Sequence, residues 1–222
     1  MRLVFALLCL VVMVMFIITE HKEEYVKAVI LKGLASLCFV IFGILCSIQA
    51  INMEFTKMVK IGLFLGLIAD IMLNLRFVFK KNGKIVFLVG ILIFLAGHIM
   101  YLCALIPGFG YLLPTLGLGA IASALILKWI FSRIEAEKAF KIFGIFYIGV
   151  IVIMNAFAIR NCLLAPNKAN IIFLIGAISF LFSDIVLILN TFGKKTLFSL
   201  RITNLSLYYI GQLLIAYSML FM

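Results

Sequence analysis

The sequence predicts an all-α polytopic membrane protein, a bundle of eight transmembrane helices forming one integral membrane domain over residues 1–222. Three observations carry this. Hydrophobic residues make up 67% of the chain and charged ones 12%, with a mean hydropathy of +1.33, more apolar surface than a soluble domain of this size can hide. The apolar residues fall in runs of about 20, the length that crosses ~30 Å of hydrocarbon at ~1.5 Å per residue. No stretch alternates apolar and polar over the ~10 residues of a barrel strand.

The first run covers residues 3–19 and is followed by HKEEYVK. It is read as a span and not as a signal peptide. No small-x-small cleavage site lies near Thr19, and positive charge follows the run, with Arg2 alone before it. Further spans are predicted at 31–51, 58–77, 85–106, 111–131, 140–159, 170–190 and 203–221. Between the fourth and fifth, Pro107, Gly108, Gly110 and Pro114 in IPGFGYLLP predict a tight turn.

A formal net charge of +11 on a soluble chain would suggest nucleic acid. Here Lys and Arg sit in short connections, where they orient the protein and meet anionic headgroups, so membrane lipids and not nucleic acid are the expected partners. The connections after the first, third, fifth and seventh spans hold Lys22, Lys27, Lys32, Arg76, Lys80, Lys81, Lys84, Lys128, Arg133, Lys138, Lys141, Lys194, Lys195 and Arg201. The other side has Arg2, Lys57, Lys60, Arg160 and Lys168. The asymmetry places the four basic loops in the cytoplasm and both termini outside. Trp129 and Tyr111 fall near span ends, as interfacial aromatics do. A composition rich in Lys, Ile, Asn and Phe points to a bacterial plasma membrane. The five cysteines lack CxxC spacing and read as small apolar residues.

Against this background Asp70 and Asp184 stand out as carboxylates inside long apolar segments. A charge in the bilayer centre costs at least ~2.5 kcal/mol, so an intramembrane carboxylate is by default a functional residue. Shifting the chain by 114 residues superimposes Gly62 on Gly176, Asp70 on Asp184, Leu73 on Leu187, Lys80-Lys81 on Lys194-Lys195, and Gly97 on Gly211. An offset of four helices predicts two parallel repeats, about 1–108 and 109–222, related by an axis along the membrane normal. Both aspartates then lie at the same depth.

Other polar residues share faces with these. Gly62, Gly66, Asp70 and Asn74 are spaced by four, as are Asn204, Tyr208 and Gln212, with Tyr209 alongside. His98 and Tyr101 share a face of the fourth span, and Ser183 precedes Asp184. Each is also explained by an interhelical hydrogen bond alone. With two histidines, no HExxH and no Cys/His cluster, no metal site is predicted. Nor is there a phosphate-binding Gly-rich loop or a GxSxG elbow. That leaves acid–base chemistry by carboxylates, or proton and ion handling by a transporter with a parallel repeat. A membrane assembly factor would leave the aspartates unexplained.

Four motifs add to this: xDxxL at Asp70–Leu73, FxxGHxxY at Phe94–Tyr101, FxxSDxxL at Phe180–Leu187 and YxxxQ at Tyr208–Gln212. In this order and spacing the chain resembles the YhhN-type lysoplasmalogenase family of multispanning membrane hydrolases. One departure is Ala69, where that family usually carries Gly. The resemblance implies hydrolysis of the vinyl-ether bond of lysoplasmalogens, giving a fatty aldehyde and glycerophosphoethanolamine or glycerophosphocholine. A lysophospholipid is then the substrate and no cofactor is required. Asp70 and Asp184 would be catalytic, supported by Asn74, His98, Tyr101, Ser183, Tyr208, Tyr209 and Gln212. Vinyl-ether hydrolysis asks for one carboxylic acid to protonate the enol carbon. It also asks for one carboxylate to activate water and steady the oxocarbenium-like centre, as in glycosidases. Which aspartate takes which role is open at this level, as is the oligomeric state.

Overall fold

The computed structural model describes residues 2–79, 81–107 and 110–222. Among them run eight α-helices, each long and apolar enough to cross a membrane, and no strand. These are α1 (Arg2–His21), α2 (Tyr25–Ser47), α3 (Met53–Val78), α4 (Gly83–Leu105), α5 (Leu112–Phe131), α6 (Lys138–Leu164), α7 (Lys168–Phe192) and α8 (Phe198–Ser218). A 3-10 turn, Met219–Phe221, follows. The chain is an integral multi-pass membrane protein. Leu3, Leu7 and Val11 of α1 and Leu118, Ile121 and Leu125 of α5 remain exposed, an arrangement stable only against lipid.

Helix limits depart from the expected spans in an instructive way. α2 begins six residues earlier than residue 31, α8 five earlier than 203, and α6 extends five beyond 159. The extensions of α8 and α6 bring Arg201 and Arg160 inside a helix, and Lys32, counted above with the first connection, lies within α2. Hydropathy ends a span at a charge, whereas the backbone continues because these charges find partners within the bundle. Lys32 and Arg160 are buried, and Arg76 lies within α3, so none of these four cations is a loop charge. Glu20 is a further carboxylate in an apolar helix, at the end of α1, with its side chain only 13% exposed. The turn between α4 and α5 spans few residues, and Pro114 falls in the first turn of α5, where proline lacks no hydrogen bond it would have made. Gly108 of that turn, and Lys80 of the first lysine pair, lie outside the described residues.

Side-chain caps fix two helix starts on one side of the bundle. Asn52 accepts from the Phe55 N–H at 3.0 Å at the start of α3, and Asn167 accepts from the Asn170 N–H at 2.9 Å at the start of α7. Consecutive helices pack side by side, except that α4 meets α6 and α5 packs chiefly on α6. α8 closes the bundle by returning to α2 and α1. It is the most enclosed helix, carrying buried Asn204, Leu205, Tyr208, Tyr209, Gln212 and Ile215.

Two glycine crossings set the inner frame. A Cβ at Gly97 on α4 would sit 3.2 Å from the Gly62 carbonyl oxygen on α3. A Cβ at Gly176 on α7 would sit 2.9 Å from the Gly211 carbonyl oxygen on α8. These backbones touch, which a side chain on either helix would prevent. Gly62 to Gly176 and Gly97 to Gly211 are both 114 residues apart, the offset on which the proposed pair of repeats rests. Each crossing lies two turns before an aspartate on the same helix, Asp70 on α3 and Asp184 on α7.

Candidate active site

Asp70 and Asp184 are buried, 1% and 3% exposed, and both line one cavity in the half of the bundle that carries the basic connections. The cavity holds about 1070 Å³ of empty space, its open mouth included. Its two walls differ. On α2, α3 and α8 it presents Lys32, Asp70, Asn74, Arg76, Arg201 and Asn204. On α4 to α7 it is almost wholly apolar, with Ile91, Leu127, Phe131, Phe143, Ile148 and Leu187 around Asp184 and Tyr147.

The two carboxylates sit in unlike surroundings. Asp70 Oδ2 accepts from the Ser36 hydroxyl at 2.5 Å and the Tyr208 hydroxyl at 2.6 Å, while Oδ1 pairs with the Lys32 ammonium at 3.1 Å. Lys32 Nζ also reaches Asn74 Oδ1 at 3.5 Å and lies 5.5 Å from the centre of the Phe16 ring. Three donors, one of them a cation, form an anion's environment. Asp184 accepts one hydrogen bond among the described residues, from the Tyr147 hydroxyl at 2.7 Å. Apart from Tyr147 and Thr191, the α4 to α7 wall on which it stands is apolar.

Of the residues expected from sequence, Asn74 and Tyr208 line the cavity beside Asp70. Gln212 and Tyr101 stand behind Tyr208. The Tyr101 hydroxyl donates to Gln212 Oε1 at 2.7 Å, and Gln212 Nε2 lies 3.5 Å from the Tyr208 hydroxyl. Tyr209 reaches Ser36 at 3.4 Å and so touches Asp70 only through it.

Tyr101, Tyr209 and Gln212 do not line the cavity themselves, and nor do Ser183 and His98, which are engaged elsewhere. Ser183 is engaged with Asn204, donating to its carbonyl at 3.0 Å and accepting from its side-chain amide at 2.9 Å, a clamp between α7 and α8. His98 pairs Nδ1 with the Phe94 carbonyl at 2.9 Å one turn back. Its ring is enclosed by Phe180, Phe94, Tyr147 and Tyr101, with centroids 4.4 to 5.9 Å away. It meets the site through Tyr147 and Phe94, which both line the cavity.

Lys32, Ser36, Tyr147, Arg76 and Arg201 were not among the expected site residues. The signal for the first two was present: they are four apart, on one face of a helix that starts at Tyr25. Arg201 forks onto Glu20, donating from Nε at 2.8 Å and from Nη2 at 2.7 Å, and so carries the polar wall toward the mouth. A lone tyrosine such as Tyr147, in a chain with 22 Phe and 7 Tyr, gives no positional signal.

The YhhN family model matches residues 27–219 of the chain. Comparison with curated proteins and with solved structures returned no match.

Proposed function

Since the chain belongs to the YhhN family, we propose that it is a lysoplasmalogenase-type hydrolase, cleaving the vinyl-ether bond of a lysoplasmalogen within the membrane. The observation that carries this reading is the pair of buried aspartates with unlike partners on the wall of one amphipathic cavity. The reaction needs two carboxyl groups in opposite roles, and the surroundings divide them. Asp184, with a single donor and apolar neighbours, is the acid. Asp70, ringed by Lys32, Ser36 and Tyr208, is the carboxylate.

The Asp184 carboxyl proton passes to the enol carbon of the vinyl ether, leaving a positive centre shared between the adjacent carbon and the ether oxygen. The Asp70 carboxylate steadies that charge and takes a proton from the attacking water, whose oxygen bonds to the cationic carbon. The resulting hemiacetal collapses. Its C–O bond to glycerol breaks as Asp70 returns the proton to the glycerol oxygen, and Asp184 recovers one from the hemiacetal hydroxyl. One water is consumed, and an aldehyde and a glycerophosphodiester leave. General acid–base steps of this kind contribute about 10²–10⁴-fold each. Tyr147 holds the Asp184 carboxyl in place, and the Tyr101–Gln212–Tyr208 chain does the same for Asp70.

The exposed lysines at the cavity mouth end of the bundle, among them Lys194 and Lys195, support a cytoplasmic mouth with both termini outside. Labelling of exposed Lys194 but not exposed Lys57 by an impermeant amine reagent from the external face would reverse that orientation.

The test of the reaction is mass spectrometry of lipids after incubating the detergent-purified protein with lysoplasmenyl-ethanolamine and -choline. Wild type releases fatty aldehyde, while folded Asp70→Asn and Asp184→Asn variants release none. Full turnover in Asp184→Asn removes the acid from the scheme. Absence of aldehyde with every headgroup, alongside proton flux in liposomes, replaces the hydrolase with a transporter.

A further inference from the structure

Ion pairing on the polar wall leaves one cation over. Lys32 is matched by Asp70 at 3.1 Å and Arg201 by Glu20 at 2.7 Å. Arg76 also lines the cavity, yet among the described residues it makes no hydrogen bond and no ion pair, and its Nε is buried without a partner. The guanidinium carbon lies over two rings, 4.5 Å from the Phe77 centroid and 4.2 Å from that of Phe87. Stacking of this kind fixes the plane of an arginine while leaving its N–H edge for a ligand. A half-buried guanidinium over two rings in a cavity, its Nε buried without a hydrogen-bond partner and Glu20 already forked by Arg201, is a receptor for an anion, and its fork matches the oxygens of a phosphate.

Position agrees with chemistry. Arg76 is six residues beyond Asp70 on α3, about 9 Å along the helix axis. In a lysoplasmalogen, six bonds separate the vinyl carbon that water attacks from the phosphorus. At single-bond lengths of about 1.5 Å, that chain spans roughly 7–8 Å when extended. A phosphate on Arg76 sets the vinyl ether level with Asp70 and leaves the hydrocarbon tail for the apolar wall.

We propose that Arg76 is the phosphate-binding residue of the cavity, selecting lysolipids that carry a phosphodiester over neutral ether lipids. The lipid identity rests on the hydrolase reading above; the anion site does not.

The experiment uses ligands that cannot turn over. Binding of a saturated 1-O-alkyl lysophosphatidylethanolamine and of the corresponding 1-O-alkylglycerol is measured by thermophoresis on the full-length protein in detergent. Wild type should prefer the phospholipid by at least about tenfold, the worth of one charge-assisted hydrogen bond to a phosphate. Arg76→Gln should erase the preference and keep the alkylglycerol affinity, and Arg76→Lys should restore part of it. An unchanged preference in Arg76→Gln overturns the assignment, as does loss of both ligands together. Inorganic phosphate binding through Arg76 as tightly as the lysolipid overturns the lipid in favour of a free anion. Because no cleavage is measured, a protein that yields no aldehyde still answers the question about Arg76.

Discussion

The Lys32–Asp70 pair gives the sharpest prediction. Lys32 is 5% exposed and, among the described residues, its ammonium is the one cation paired with Asp70, so Lys32→Met strands a buried carboxylate with two neutral donors, Ser36 and Tyr208. Removing one partner of a buried ion pair destabilises by about 3–5 kcal/mol, because the other charge loses its compensation. For a chain of this size that corresponds to a fall of roughly 6–20 °C in the unfolding midpoint. A thiol-reactive dye can follow it, since Cys9 and Cys46 are free and fully buried in the fold. Neutralising the survivor should reverse much of the loss: Lys32→Met/Asp70→Asn should melt well above Lys32→Met. Turnover behaves differently. The single variant should lose at least about 100-fold, as for a displaced acid–base group, and the double variant should stay inactive despite its recovered stability. A Lys32→Met protein that melts with wild type and turns over at the wild-type rate refutes the argument that this pair holds the Asp70 charge.

Other expectations follow from the same geometry. Tyr208→Phe removes the 2.6 Å donor to Asp70 and should slow aldehyde release by about 10- to 100-fold while shifting stability by only about 1 kcal/mol. Tyr101→Phe, one hydrogen bond further back, should cost less turnover than Tyr208→Phe; the reverse order would show that the chain through Gln212 is not how Asp70 is held. Gly176→Ala places a methyl 2.9 Å from the Gly211 carbonyl oxygen and 3.0 Å from the Ile215 nitrogen, backbone atoms that cannot yield, and should destabilise by about 1–3 kcal/mol. Gly117→Ala on α5 meets nothing within 4 Å and should be neutral or slightly stabilising, so equal melting of the two variants would count against the crossing.

What was legible in the sequence was legible for a physical reason. In so apolar a chain a carboxylate or a paired glycine is rare enough to carry position, which singled out Asp70 and Asp184, while a spacing of four singled out Tyr208 and Gln212. The fold class followed from apolar composition, run length and the lack of alternation. What stayed hidden was the company the aspartates keep. Sorting Lys and Arg by connection assigns every charge near a span end to a loop, so Lys32, Arg76 and Arg201 were counted there although they lie in α2, α3 and α8 and line the cavity. His98 shows the opposite failure. Its spacing to Tyr101 defines a helix face, but spacing does not say whether that face meets a cavity or, as here, the rings of Phe94, Tyr147 and Phe180.

The two-sided cavity also has a thermodynamic consequence. On the proposed reaction its polar wall releases a water-soluble glycerophosphodiester at the basic face of the bundle, and its apolar wall releases an aldehyde into hydrocarbon. The products enter different phases and do not meet again at working concentration. Demixing then drives the reaction forward, and the rate follows the mole fraction of substrate in the leaflet. Diluting a fixed amount of substrate with inert lipid should slow the protein even when its bulk concentration is unchanged.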